Sequence, residues 1–346
     1  MSEKLINLEE LWNLREIHPI LDARSEGEYA QSHILGAINL PILNNEERKI
    51  VGTIYKEEGN EKAVLKGFEL VGPRFHEIIK QAIALAPNKK VILYCWRGGM
   101  RSQILSWLLS MNGFEVFRLN GGYKVYRSYT FQLVRSPFKL LILGGKTGTG
   151  KTVLLQHLSK MGEQVIDLEK IANHKGSAFG GIGQTNQPSV EQFENILAEE
   201  LSTLNPQKTI WVENESRSIG FNVIPTEFFY QMQNAPLIEI EKSDENRIAH
   251  IAEEYANLPP DKLIEAVNKL RKRLGIQRTK EAIEAIQKQL NAEWISNLLI
   301  YYDATYAHGM KSQRNQQFMP INLDGISVEE ACKMLMIKEK EIYGNE

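Results

Sequence analysis

Leu140-Leu141-Ile142-Leu143-Gly144-Gly145-Lys146-Thr147-Gly148-Thr149-Gly150-Lys151-Thr152 decides the fold of the second half of the chain. The apolar run predicts a buried parallel strand, the glycines a tight loop, and Lys151 to Lys160 a helix. Residues Gly145 to Thr152 satisfy G-x-x-x-x-G-K-S/T in the strand–loop–helix setting that pattern requires. The physical reading is a phosphate loop. Backbone N–H groups at Gly145, Lys146, Thr147, Gly148, Thr149 and Gly150 cradle phosphate oxygens, Lys151 adds a full positive charge, and Thr152 is a candidate Mg²⁺ ligand. Backbone donors read phosphate and not base, so ATP, a diphosphate or another phosphate ester would fit. The guanine-reading N-K-x-D string is missing; the nearest, Asn268-Lys269-Leu270-Arg271, lacks the aspartate.

Downstream, strands are expected at Gln164–Asp167, Thr209–Val212 and Leu237–Glu241. The third of these strands precedes long amphipathic patterns from Asp244 to Leu290, which predict a mainly helical C-terminal region. An acid to serve the metal is sought at strand ends: Glu213 or Glu215 after Thr209–Val212, or Asp167, each of which reads equally well as a strand-end cap. His174 lies in a glycine-rich stretch, Asn173 to Gly183, placed to cover the phosphate site or to be a plain surface loop. Arg217 closes the string Val212-Glu213-Asn214-Glu215-Ser216-Arg217. Lys269 to Lys280 holds six basic residues and no acid. Arg271, Lys272, Arg273, Arg278 and Lys280 are therefore candidates for RNA phosphate contacts, against the plainer reading of a solvated helix face. Tyr301, Tyr302 and Tyr306 are offered either as base-stacking side chains or as core aromatics.

Upstream of Arg135-Ser136-Pro137, a plausible domain boundary, strand and helix patterns alternate: Ile17–Ala23, Glu26–Gln31, Ala37–Leu40, Phe75–Ala86, Lys90–Tyr94, Ser102–Met111 and Val116–Leu119. The fold class is α/β with a helical C-terminal extension, and the expected divisions are 1–135, 138–245 and 246–346. Tyr94-Cys95-Trp96-Arg97-Gly98-Gly99-Met100-Arg101-Ser102 follows one buried strand and opens a helix. Loop N–H groups, a helix N-terminus, Arg97 and Arg101 all favour a thiolate at Cys95. Cys332, on an amphipathic helix, reads as a core cysteine.

The chain of 346 residues has 41 basic and 43 acidic side chains, a formal charge of −2. That average hides a division. Between Glu77 and Glu163 stand thirteen basic residues and one acid, a local +12 against −14 elsewhere, and both loops lie in this stretch. A positive field suits anionic ligands and a polyanion. No basic, apolar leader and no run of membrane-spanning length is present, and two distant cysteines make neither a disulfide framework nor a zinc site. A cytoplasmic location without membrane contact is expected.

The N-terminal segment resembles the rhodanese domain, over about the first 130 residues. The resemblance rests on Asp22 and Arg24 after the first strand, Glu28-Tyr29, His33-Ile34-Leu35-Gly36-Ala37-Ile38-Asn39-Leu40-Pro41, and Cys95. The loop Cys95-Trp96-Arg97-Gly98-Gly99-Met100-Arg101-Ser102 is one residue longer than the common C-R-x-G-x-R-S form. The rhodanese segment and the phosphate loop together, with Phe179-Gly180-Gly181-Ile182-Gly183, Val212 to Arg217 and Leu274 to Lys280, resemble the tRNA 2-selenouridine synthase family. The resemblance implies a rhodanese-like parallel-sheet domain, a P-loop α/β domain and a helical extension contacting tRNA. It implies that wobble 2-thiouridine of tRNAs for Lys, Glu and Gln is S-geranylated by geranyl diphosphate. Selenium from selenophosphate then replaces the geranylthio group. Cys95 would accept or position selenium, Arg97 and Arg101 would bind its phosphate, and a selenophosphate-supplying enzyme is a possible partner. Two readings from other classes stand beside it: an ATP-dependent tRNA sulfur or selenium transferase or kinase-coupled sulfurtransferase, and a non-catalytic tRNA- or partner-binding adaptor, against which an intact Cys95 and Lys151 weigh.

Overall fold

Two parallel sheets form, one on each side of Leu133. The computed structural model describes residues 2–312 and 318–344, in two compact units, 1–132 and 133–346.

The first unit runs β1 (Ser2–Ile6), α1 (Leu8–Leu14), β2 (Ile20–Asp22), α2 (Glu26–Gln31), β3 (Ala37–Asn39), α3 (Asn45–Glu57), α4 (Asn60–Val71), α5 (Phe75–Leu85), β4 (Lys90–Tyr94), α6 (Met100–Met111), β5 (Glu115–Leu119) and α7 (Gly122–Leu133). The sheet order is β1-β5-β4-β2-β3, every pair parallel. β4 is apolar on both faces because both are covered: Val91 and Leu93 enter one core, Ile92 and Tyr94 the other. β2 is shorter than the expected Ile17–Ala23. Pro19 has no N–H for the ladder; its carbonyl accepts from Ile92 N at 2.9 Å, and strand pairing starts at Ile20. The sequence reading did not foresee β1 or the α3–α4 pair. β1 (Ser2-Glu3-Lys4-Leu5-Ile6) is five residues long and shows no apolar alternation, and α3 buries no residue fully.

The second unit runs β6 (Leu140–Gly145), α8 (Lys151–Lys160), β7 (Gln164–Ile166), α9 (Leu168–Ala172), α10 (Val190–Ser202), β8 (Ile210–Glu213), β9 (Ser218–Ile219), β10 (Asn222–Val223), α11 (Thr226–Asn234), β11 (Leu237–Glu241), α12 (Asp244–Tyr255), α13 (Pro260–Leu274), α14 (Ile276–Gln287), α15 (Asn291–Ser312), β12 (Phe318–Asn322) and α16 (Val328–Tyr343). Its sheet is β12-β11-β6-β8-β7, again parallel, and β9 and β10 form a short antiparallel pair. β6 is central: Leu140 and Ile142 enter one core, Leu141 and Leu143 the other. The helical region is as expected and builds its own core from α12–α15. It also returns a strand, β12, to the sheet edge. Pro320 within it hides the strand from a periodicity reading, and an edge position tolerates the missing N–H. Cys332 is buried, with its thiol 3.6 Å from the Leu154 carbonyl of α8. Among the described residues no helix is long and apolar enough to cross a membrane.

Candidate functional site

The phosphate loop is held from three sides. Gly145 ends β6 and donates its N–H to the Tyr306 hydroxyl at 2.9 Å, which donates to Glu239 at 2.5 Å. Within the loop Thr149 Oγ1 donates to the Lys146 carbonyl at 2.9 Å. Gly148 has φ +86°, and a Cβ there would stand 2.8 Å from Ile251 Cδ1, so α12 packs directly on the loop. From α12 the buried Arg247 donates Nε to the Thr147 carbonyl at 2.9 Å, and its other nitrogens reach Asp303 at 2.5 and 3.0 Å and Asp244 at 2.7 Å. Lys146 stands 3.2 Å from the same Asp303. Lys151, first residue of α8, donates to the Gly145 carbonyl at 2.9 Å and lies 3.6 Å from Glu213.

Beside Lys151 three carboxylates converge. Glu169, Glu213 and Glu215 each bring an oxygen within 4.8 Å of the others. The Thr152 hydroxyl lies 3.3 Å from Glu213 and 3.4 Å from Glu169. Burial, then the charges of Glu213 and Glu215, pushes the Glu169 carboxyl up to about 9. Burial, then Glu213, pushes Glu215 up to about 8, and burial raises Glu213 as well. Crowded oxygen donors of this kind, with one hydroxyl, match the hard-ligand preference of Mg²⁺. Gly176 (φ +64°) brings the 173–183 loop against them; a Cβ there would lie 2.8 Å from Glu169.

The loop and carboxylates form one end of a cleft of about 270 Å³. Its other end is apolar, walled by Phe179, Ile251, Tyr255, Trp294, Leu298 and Leu299. The Phe179 ring centroid is 6.0 Å from those of both Tyr255 and Trp294, so the glycine-rich segment is pinned into the helical core by one aromatic side chain. Lys175 of that segment pairs with Glu254.

Asp167 caps α9, accepting from Lys170 N at 2.9 Å, and stands outside the three-carboxylate group. His174 lies half-buried against Gly180 and Gly181, its pKa lowered by burial. Arg217 is exposed and donates to Thr226 at 2.9 Å. Arg271, Lys272, Arg273, Arg278 and Lys280 are all exposed, but Gly275 (φ +88°) breaks the tract into a corner between α13 and α14. Tyr302 and Tyr306 line the cleft, while Tyr301 accepts from Arg273 at 3.2 Å. Sequence reasoning missed Glu169, Glu239, Arg247 and Asp303. They are single polar residues in separate elements, with no spacing pattern to join them.

In the first unit Cys95 directly follows β4, 3% exposed, with Sγ 3.2 Å from Ser102 Oγ. Ser102 Oγ donates to the Gly99 carbonyl at 3.0 Å. The loop is clamped by α7: Tyr123 N donates to the Cys95 carbonyl at 2.8 Å and Lys124 N to that of Trp96 at 2.9 Å. A Cβ on Gly122 would lie 2.2 Å from the Cys95 carbonyl oxygen, so only glycine fits there. Arg118 holds the Gly98 carbonyl at 2.5 Å. Arg97 is exposed, whereas Arg101 is engaged with Glu28 at 2.5 and 3.2 Å. Asp22 and Arg24 form a buried ion pair at 2.6 Å, extended to Tyr94 and the Ser32 carbonyl. His33 stacks on Tyr29, ring centroids 4.1 Å apart. These three residues brace β2, α2 and β4.

Comparison with known proteins agrees with this division. Residues 7–129 match the profile of the rhodanese-like domain, and residues 138–327 that of the tRNA 2-selenouridine synthase AAA domain. A tRNA 2-selenouridine synthase of Sulfurovum sp. (strain NBC37-1) is 36% identical over 323 residues, covering 83% of this chain and 87% of the relative. One from Shewanella denitrificans is 33% identical, with 92% and 95% covered. One from Nitrosomonas europaea is 34% identical, with 86% and 90% covered. Likeness of this extent spans both units, and from it follows that the chain belongs to the tRNA 2-selenouridine synthase family and is a tRNA-modifying enzyme that takes a selenium donor.

Proposed function

We propose that this enzyme converts wobble 2-thiouridine of the tRNAs for Lys, Glu and Gln to 2-selenouridine in two steps, in the cytoplasm. Geranyl diphosphate first alkylates the sulfur; selenium from selenophosphate then replaces the geranylthio group. One observation carries the reading: the phosphate loop opens onto an apolar, aromatic wall within a single cleft. A prenyl diphosphate has that same division, a doubly ionised head joined to a hydrocarbon tail.

In the first step the thiocarbonyl sulfur attacks C1 of the geranyl chain, the C1–O bond breaks, and the base loses its N3 proton. Charge grows on the departing pyrophosphate, which the N–H groups of Lys146 to Gly150 would meet, with Lys151 exchanging the Gly145 carbonyl for phosphate oxygen; the Gly145 N–H itself is taken by Tyr306. Thr152, Glu169, Glu213 and Glu215 would hold Mg²⁺, which supplies further charge neutralisation to a diphosphate when bound. In the second step selenium of selenophosphate adds at C2 of the base and geranylthiolate leaves. Water then cleaves the P–Se bond, releasing phosphate. Alkylation is what makes the sulfur a leaving group. The Cys95 loop suits the small selenium-bearing anion: Arg97 is exposed to meet the phosphate, Cys95 positions selenium, and Arg101 would have to exchange Glu28 for the phosphate.

The test is mass analysis of nucleosides after incubating 2-thiouridine tRNA with geranyl diphosphate and selenophosphate. Lys151→Ala should form no S-geranyl nucleoside, and Cys95→Ser should accumulate it. Normal geranylation by Lys151→Ala, or ATP turnover in its place, would overturn the reading.

A further inference from the structure

We infer that a second apolar groove, between α3 and α4 of the rhodanese-like unit, receives the geranyl chain of the S-geranylated wobble base while selenium replaces it. The inference rests on the two-step reading above. The groove has a volume of about 650 Å³, and Leu43, Val51, Val64, Phe68, Val71 and Ile104 give it an apolar lining. Its lining also includes Met100 and Arg101, the first two residues of α6, directly after the Cys95 loop. A small selenium-bearing anion needs no hydrocarbon wall. A ten-carbon leaving group does, both to hold the substrate and to keep the departing thiolate oriented.

Two glycines strengthen the case. Gly52 and Gly67 lie inside α3 and α4, where glycine weakens a helix. Both line the groove, and a Cβ on either would meet nothing within 4 Å. No backbone demand explains them, since neither has positive φ. Their effect is to keep the groove open. Charge fits the rest of the substrate: Lys49 and Lys56 line the groove together with Arg48 and Arg101, which share Glu28, and no acid is in the lining, as suits an RNA backbone on either side of the base.

The experiment uses the full chain and a synthetic anticodon stem-loop carrying S-geranyl-2-thiouridine, with selenophosphate. Leucine favours helix more than glycine, so Gly52→Leu and Gly67→Leu should keep or raise the unfolding temperature while filling the groove. Geranylation of the 2-thiouridine stem-loop should stay within about twofold. The KM for the S-geranyl stem-loop should rise about tenfold or more, since each buried methylene counts, while an S-methyl stem-loop should respond equally with all three proteins. A photoreactive analogue of the S-geranyl RNA should cross-link within residues 45–71. An unchanged KM, or cross-links confined to other segments, would overturn the groove assignment. No conversion of the S-geranyl RNA by the unmodified enzyme would strike the two-step reading instead, with the cross-link map still deciding the groove. Cross-linking of a second protein chain at 45–71 in place of the RNA would make the groove a protein interface and overturn the inference.

Discussion

Arg247→Met tests how the phosphate loop is held. Arg247 is 1% exposed and makes four polar contacts, two with Asp303, one with Asp244 and one with the Thr147 carbonyl. Removing one member of a fully buried pair costs about 3–5 kcal/mol. Asp303 is a quarter exposed and keeps Lys146 at 3.2 Å, so roughly half of that applies, about 1.5–2.5 kcal/mol. In a unit of this size, the midpoint of thermal unfolding should fall by about 5–10 °C. The freed Thr147 carbonyl also loosens the cradle, and binding of inorganic pyrophosphate should weaken about tenfold. Calorimetry of the full chain, with titration of pyrophosphate, reads both quantities. Asp303→Asn should reproduce a smaller version of the same pair of effects. A fall under about 2 °C with unchanged pyrophosphate affinity would refute the idea that Arg247 ties the loop to the helical core.

Other outcomes follow from the same cleft. Glu169 and Glu215 titrate near 9 and 8 when folded, far above an unfolded carboxyl at 4.5, so the folded state keeps protons that the unfolded state has lost. Without divalent cations, stability should therefore be greatest near the acid end of the 4.5–9 window and fall as pH rises through it. Mg²⁺ should restore more of it at high pH than at low pH, because it competes with fewer protons; a stability that rises with pH in chelator would contradict this. On the proposed function, Leu298→Ala should raise the KM for geranyl diphosphate about tenfold and that for the shorter dimethylallyl diphosphate by much less, since Leu298 belongs to the apolar part of the cleft. Equal shifts for both diphosphates would show that Leu298 does not contact the chain.

The two loops were legible because backbone geometry makes them. Gly145 to Thr152 and Cys95 to Ser102 each need glycines at fixed offsets between a strand and a helix, and such offsets survive in a linear string. The apolar wall was not legible, since Phe179, Trp294 and Leu298 come from separate segments and look like any core residues until α12–α15 fold. The +12 segment also reads differently in three dimensions. Arg101, Arg118, Arg135, Lys146 and Lys151 find Glu28, Glu3, Glu227, Asp303 and Glu213, acids from outside the segment. Charge counted along the chain overstates the field where folding brings distant acids home. Asp22 and Arg24, quoted in the sequence only for the family resemblance, are a buried pair bonded to Tyr94 and the Ser32 carbonyl.

β11 and β12 are neighbours in the sheet, yet Leu237 pairs with Phe318 across the whole helical excursion. Bringing such distant ends together is entropically costly and slow when the intervening chain is loose. Here that chain carries its own core, from Leu263 to Leu299, whose local contacts are expected to form before the strands pair. The order of events then matters for the loop. Arg247, Ile251 and Tyr306, which fix Thr147, Gly148 and Gly145, all belong to the excursion. The phosphate cradle is therefore expected to acquire its shape late in folding, after the strand and helix that carry its motif are already in place.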